Sequence, residues 1–387
     1  MGLPHLDIAG LGTVTGYGWG REELWQGLAA GKSAAVQQPG YQTDGWAAPW
    51  AALVPGGGDA SDGPSRFQRA MRFAAREAIT DAKTRGWQPG RRVGLLHAVV
   101  LGEVDLWKDF HITHGGRVSV RDYLALMPST PISTLMREYD FHGPAMNVGA
   151  MCASGNAGLL TAKSWIDTGI VDDVIFVATD ISVTPENLRH FVDLGVAVAD
   201  SDPLQACRPF QEGSRGFIMG EGSVAMVLSQ GIPNPYLHVL GGAMSHDAHH
   251  VTSIDPELTD ITRCFNEALE NAGATPDQVR YLNAHGPGTR QCDTAEAAVF
   301  DALFPTTAEL YSVKPLAGHC QGAASAVEIS ATALGYDHDL LPAPFNVAAG
   351  HPRLLAGPTA PDEGLTVKSS IGMGGHNSAV VLRPPNR

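Results

Sequence analysis

The chain alternates short, nearly continuous apolar runs with longer stretches whose apolar residues recur every third or fourth position. Side chains switch faces at every residue of a strand and return to one face after about 3.6 residues of a helix, so the runs read as strands and the stretches as helices. Residues 6–12 form the first strand, ending in glycines, and residues 21–28 an amphipathic helix stopped by Gly31. Residues 39–65, rich in Pro, Gly, Asp and Ala, read as a surface excursion. From 65 to 85 a helix is set by Phe67, Ala70, Met71, Ala74, Ala78 and Ile79, with Ser65 as its N-cap. Residues 93–101 are apolar almost throughout, the mark of a strand buried on both faces in a parallel sheet. Residues 102–130 give no clear period. A helix follows Cys152, and residues 172–178 and 220–228 add two strands.

The Pro-rich break at 232–235 divides the chain into residues 1–232 and 233–387. The second stretch repeats the rhythm of the first: strand 236–240, helix 259–272, strand 279–283, helix 294–303, strand 309–313, helix 323–334 and a final strand after Gly375. Strands alternating with helices in both halves predict a layered α/β architecture with mainly parallel sheets.

Composition narrows the class. With 387 residues, 44% of them hydrophobic and only 17% charged, the chain can bury a large core. A formal net charge of -14 argues against general affinity for nucleic acid or an anionic membrane, and an acidic partner would need a local basic patch. Residues 1–7 lack the basic start of a secretion signal, Leu6 stands where a myristoylation signal wants Ser or Thr, and no apolar run is long enough to span a bilayer. The expectation is a soluble cytoplasmic protein. Five cysteines, at 152, 207, 264, 292 and 320, form no Cys-x-x-Cys pair and predict reduced thiols with neither a disulfide framework nor a zinc site. Gly10-x-Gly12-x-x-x-Gly16 misses the dinucleotide-binding spacing by one residue and reads as turn chemistry.

Candidate chemistry centres on residues 148–165. Cys152 lies among small residues where an apolar helix begins, and free backbone N–H groups and the positive end of the dipole there favour a thiolate. The competing reading is a cysteine of the core. Three later segments run from a short strand into glycines and a polar group: 283–289 with His285, followed by Asp293 and Glu296; 312–319 with Lys314 and His319; and 370–377 with His376. Such glycines let backbone approach a ligand closely. His246, Asp247, His249 and His250 offer metal-ligand side chains, yet on a glycine-flanked loop without a partnered carboxylate pattern, so no metal is expected. Arg66, Arg69 and Arg72 recur every third residue, as a solvated face or a basic patch.

Together these segments resemble the β-ketoacyl synthase family of the thiolase-like fold. The resemblance also takes in residues 8–12, Trp25, Gly31-Lys32-Ser33, Met151-Cys152-Ala153-Ser154-Gly155, Arg208-Pro209-Phe210 and residues 215–222. It implies a duplicated α-β-α-β-α layering with two mixed sheets, the nucleophile in the first half and the histidines in the second. It implies a Cys-His-His condensing enzyme without a cofactor. Cys152 would take an acyl group from a carrier thioester, with its own N–H and that of Met373, next to Gly374, as oxyanion hole and gate. His285 and His319 would hold the extender thioester during decarboxylation, Lys314 would support the second histidine, and Glu296 would order the network. Met151, His376, Pro287 and Thr289 would shape the substrate pocket. The implied partners are an acyl carrier protein with phosphopantetheine-bound acyl and malonyl groups, met by Arg66, Arg69 and Arg72, and a twofold mate that is the same chain or a related subunit. Pro287, Met373 and His376 depart from the family's usual threonine, phenylalanine and threonine, and a flexible methionine would loosen acyl entry. The leading expectation is a β-ketoacyl synthase of fatty acid or specialised polyketide synthesis. Two alternatives stand beside it: an acyltransferase or thioesterase that does not decarboxylate, and a non-catalytic partner subunit.

Overall fold

The computed structural model describes residues 5–43 and 45–385. Residues 1–4, which carry much of the reading of the N-terminus, lie outside the described residues. β1 (Leu6–Thr15) is buried at every position. After α1 (Arg21–Ala29) and the largely exposed excursion, α2 (Arg66–Thr84) packs back onto β1, its first turn capped by Ser65 Oγ, which accepts the Gln68 N–H at 3.1 Å. The contact is so close that a Cβ on Gly12 would stand 2.0 Å from the Ala74 carbonyl oxygen, and one on Gly10 2.3 Å from that of Ala78. The two glycines therefore serve helix-on-strand contact inside β1, not the turn predicted for them.

The first half continues with β2 (Val93–Ala98), β3 (Ala145–Val148), β4 (Asp173–Asp180) and β5 (Gly222–Ser229). The second half supplies β6 (His238–His246), β7 (Val279–Asn283), β8 (Glu309–Tyr311), β9 (Leu365–Gly372) and β10 (His376–Arg383). Their spatial orders are β3-β2-β4-β5-β1 and β8-β7-β9-β10-β6, the same arrangement twice. In each half two neighbouring pairs are parallel and two antiparallel. This corrects the expectation of mainly parallel sheets. Only three residues, 373–375, join β9 to β10, too few for the crossover that parallel pairing requires.

The two mixed sheets meet where Leu6 pairs with Val239 and Asp7 with His238, so hydrogen bonding runs on through one sheet of eleven strands, the eleventh being the two-residue strand Gly18–Trp19 paired with β1. Asp7 pins this seam: its carboxylate accepts the Ile232 N–H at 2.9 Å and faces His238 Nδ1 at 2.7 Å. Between the halves lie α3 (Ser154–Asp167) and, after α4 (Thr259–Asn271) and α5 (Arg290–Leu303), α6 (Ala324–Asp337). Both α3 and α6 touch strands of the two halves, while α2 and α4 cover outer faces. α6 is buried at every residue from 324 to 336, which explains why small and apolar residues occupy all its sides and Glu328 is its one charge in that span. The unassigned stretch folds into short helices, Val104–Lys108 and Val120–Ala125, leading into Ser129–Glu138. Among the described residues no helix is long and apolar enough to cross a membrane.

Candidate active site

A sharp turn after β3 aims Cys152 at the space between the halves. Met151 takes a φ of 49°, a left-handed conformation that costs a residue with a Cβ on the order of 1 kcal/mol. Ser154 secures the turn: its hydroxyl donates to the Met151 carbonyl at 2.6 Å and accepts the Ala150 N–H at 2.8 Å. Ser370 on β9 donates to the Cys152 carbonyl at 2.9 Å. Burial pushes the Cys152 thiol up to about 11, against the pull of the Lys314 charge and of the Met373 N–H directed at it. Desolvation therefore outweighs the helix start, and the resting group is a thiol instead of the expected thiolate.

His285 follows β7. Its N–H donates to Glu296 Oε1 at 2.9 Å, the Gly286 N–H donates to Oε2 at 2.8 Å, and the Ser369 hydroxyl also donates to this carboxylate. Glu296, on α5, thus fixes the loop that carries the histidine. Lys314 Nζ donates to the His285 carbonyl, lies 3.4 Å from His285 Nδ1, and pairs with Glu328. The lysine supports the first histidine, a correction to the role implied for it at His319. His319 takes its orientation from elsewhere: its Nδ1 accepts the Gln321 N–H at 3.2 Å, and its ring stands edge-on to Phe217 and His285 at 4.7 and 5.5 Å between centroids.

Burial first, and then the charge of Lys314, holds both imidazoles well below their ordinary pKa of 6.5. Both rings are therefore neutral at neutral pH. Since Nδ1 accepts in each ring, the proton sits on Nε2, and each histidine keeps one N–H donor. Cys152 Sγ and one ring nitrogen from each histidine lie within 4.8 Å of one another. They line a cavity of about 320 Å³ together with Pro287, Thr289, Met373 and Gly374.

Other candidates fall elsewhere. Met151 and His376 do not line this cavity, a correction to the implied pocket: Met151 contributes its turn, and the His376 ring packs edge-on to His246 across the β10–β6 pair at 4.9 Å. In the loop after β6, Asp247 accepts from the Asn377 amide at 2.5 Å, while His246 Nδ1 accepts the Ala248 N–H at 3.0 Å and His250 Nδ1 the Thr252 N–H at 3.1 Å. The arginines of α2 are not a free patch. Arg66 binds buried Glu221 at 3.0 Å, Arg72 binds Glu138 at 2.7 Å and approaches Asp62 at 3.6 Å, and half-buried Arg69 packs its Cβ over Gly58. The charges of Arg66 and Arg72 are thus met within the chain, while Arg69 forms no ion pair among the described residues.

Two functional groups escaped the sequence reading. Glu328, buried on α6, receives Lys314 on one oxygen and has Lys368 Nζ 2.6 Å from the other. Lys368, buried on β9, also donates to the Asn283 and Ala284 carbonyls at 3.2 Å, just before His285. The signal was present in each case: a lone charge inside an apolar segment destined for burial, which needs a partner.

The fold is thiolase-like, with the Cys152 thiol from one half facing two neutral imidazoles from the other. The family model for the N-terminal domain of β-ketoacyl synthases matches residues 59–231, and that for the C-terminal domain residues 236–348. The chain belongs to the β-ketoacyl synthase family, whose members work in polyketide and fatty acid synthesis. It is 29% identical to the oxytetracycline polyketide putative beta-ketoacyl synthase 1 of Streptomyces rimosus, over 98% of this chain and 97% of that one. It is also 29% identical to the tetracenomycin polyketide synthase ketoacyl synthase alpha subunit of Streptomyces glaucescens, over 98% and 96%. Among solved structures, a type II polyketide synthase acyl-carrier protein in complex with its ketosynthase bound to the hexaketide superposes with a TM-score of 0.86 at 23% identity, covering 99% of this chain and all (100%) of that one. The ishigamide ketosynthase/chain length factor gives 0.86 at 24% identity over 99% and 100%.

Proposed function

We propose that the chain is a catalytically competent β-ketoacyl synthase that condenses a Cys152-bound acyl group with a malonyl-type carrier thioester by decarboxylation, with specialised polyketide synthesis favoured over fatty acid synthesis. The observation that carries this reading is the approach of Cys152 Sγ, His285 and His319 to within 4.8 Å in one cavity. In the first half-reaction Sγ attacks the acyl thioester carbon. The Met373 N–H, already directed at Sγ, stabilises the oxyanion. The bond to the carrier sulfur breaks, and the Cys152 proton ends on that sulfur, which leaves as the free carrier thiol. In the second half-reaction Nε2–H of both histidines donates to the malonyl thioester oxygen. The bond to the carboxylate carbon breaks, carbon dioxide leaves, and its electron pair remains as an enolate. The enolate carbon attacks the acyl thioester of Cys152, the carbon–sulfur bond breaks, and the thiolate recovers a proton from solvent. Neutral rings suit these steps because they donate hydrogen bonds without protonating the enolate carbon.

The same proposal divides the chain into halves 1–232, with the nucleophile, and 233–387, with the histidines. It takes an acyl carrier protein as the partner that delivers both groups. A twofold mate, identical or related, is supported by β3, which among the described residues is an edge strand paired with β2 alone and leaves Met146 41% exposed. Intact-protein mass spectrometry tests the reading: acyl carriers should add one acyl mass to the wild type and none to Cys152→Ala, and malonyl carrier alone should release carbon dioxide. Labelling without carbon dioxide would favour simple acyl transfer. No labelling from any acyl carrier would favour a non-catalytic partner subunit, the reading that the ketosynthase/chain length factor pairs among the structural relatives keep in view.

A further inference from the structure

The seam between the halves carries a second group of ligand side chains, away from the condensing chemistry. His5 immediately precedes β1 and Asp7 is its second residue; side chains two positions apart on extended backbone leave it on the same face. His238, the first residue of β6, pairs directly with Asp7 across the seam, so the three side chains converge from both halves. One ligand atom from each lies within 4.8 Å of the other two. Asp7 Oδ1 is 2.7 Å from His238 Nδ1 and 3.5 Å from His5 Nε2, and the second distance is too long for a good hydrogen bond. Two ligands that share a tetrahedral zinc ion at bonds of about 2.0–2.1 Å stand about 3.3 Å apart, so the gap at His5 already has the span of a shared cation, and the His238 contact need open by only about 0.6 Å.

The surroundings suit a bound ion. Asp7 is 1% exposed, and its other oxygen, Oδ2, accepts the Ile232 N–H at 2.9 Å, the kind of outer contact that fixes a ligating carboxylate. The His5 side chain is 39% exposed, which leaves a path in from solvent and room for a water as fourth ligand. Two cations also reach the site, Arg383 and Lys163, but both act on His5 less strongly than Asp7 does, and Lys163 is bound to Asp167 at 2.7 Å. Two imidazoles and one carboxylate are borderline ligands, suited to zinc and its neighbours, whereas calcium and magnesium take oxygen. We propose that His5, Asp7 and His238 form a site for a divalent cation of the zinc class, which clips the start of β1 to β6 and so ties the two halves together. None of these ligands lines the Cys152 cavity, so the site stands apart from the condensing reading.

Equilibrium dialysis of the untagged, chelator-stripped chain against micromolar zinc, read by elemental mass spectrometry, tests the site. The wild type and Cys152→Ala should each hold one zinc per chain. His5→Gln and His238→Gln should bind it at least about tenfold more weakly, since even an outer contact is worth about 10- to 100-fold in metal affinity. Glutamine at 238 keeps a donor for Asp7, so the seam itself survives the change. Zinc at about 100 times its Kd should raise the Tm of the wild type by about 3 °C and leave that of His5→Gln unmoved. Cobalt, as a coloured substitute, should give visible ligand-field absorption without the near-ultraviolet charge-transfer band of a cobalt–thiolate bond. That band would mark Cys152, which with His285 and His319 forms the other trio close enough to hold an ion. No zinc on the wild type, or a Tm indifferent to zinc, overturns the inference. Zinc that persists in both glutamine variants and leaves with Cys152→Ala belongs to the cavity and overturns it as well. Zinc that persists in all three variants lies elsewhere, and the inference is again wrong. None of these outcomes alters the acylation of Cys152, so the condensing reading is tested separately.

Discussion

Replacing Lys314 by methionine separates its two effects on the histidines. Methionine keeps the length of the side chain and removes both the charge and the donors. His285 loses a partner at its carbonyl and another at Nδ1, 3.4 Å away. Hydrogen bonds to a charged group contribute about 1.5–3 kcal/mol, and about 1.4 kcal/mol is tenfold in rate, so kcat for malonyl decarboxylation should fall about 10- to 100-fold at pH 7.5. The second effect is on titration. After burial, the Lys314 charge is the largest cause holding His285 and His319 well below 6.5, so its removal lets both values rise. The rings act in their neutral form, and a higher pKa means that protonation removes that form sooner as pH falls. The acid limb of the variant must therefore lie at higher pH than that of the wild type, and the deficit must widen from pH 7.5 to 5.5. Carbon dioxide release from malonyl carrier across this range measures it. Glu328 retains Lys368 at 2.6 Å, so the variant should keep its fold, which a melting curve verifies. A deficit of constant size at every pH would refute the electrostatic half of the reasoning, and an unchanged kcat would refute both halves.

Two further outcomes follow from packing and charge. Arg66→Ala strands Glu221, which is fully buried, and should lower stability by about 3–5 kcal/mol in urea titrations. Burial holds the Glu221 carboxyl up at about 7, above its ordinary 4.5, and Arg66 opposes the rise. A raised acid contributes stability that is full below 4.5 and lost as pH climbs through 7, so the further rise in the variant should make its deficit larger at pH 8 than at pH 6. Equal deficits would show that Glu221 is not the source. Gly12→Ala drives a methyl group to 2.0 Å from the Ala74 carbonyl and should lower the unfolding free energy from urea titrations by about 3 kcal/mol, whereas Gly40→Ala, with nothing within 4 Å, should stay within about 0.5 kcal/mol. Similar midpoints for the two would contradict the close seating of α2 on β1.

The sequence by itself placed most of the strands and helices and the order of the segments bearing Cys152, His285 and His319, but not β3 or the short helices of residues 102–130. Hydrophobic period reports which side of an element meets the core, and a glycine-flanked polar residue reports close approach, so these features are local and legible. It did not determine which charge meets which. Arg66 and Glu221 are 155 positions apart, and an arginine that repeats every third residue looks the same whether it faces solvent or a buried carboxylate. The partner of Lys314, the place of Glu328 and Lys368, and the turning away of Met151 and His376 depend on how α5, α6, β9 and β10 are set against one another. So does the protonation of Cys152, since desolvation exists only once both halves have closed over it. Strand direction belongs with these, because it follows from the length of a connection and from pairing across the sheet. What the chain carries locally is a set of groups; burial and distance, set by tertiary structure, turn that set into neutral imidazoles and a protonated thiol in one cavity.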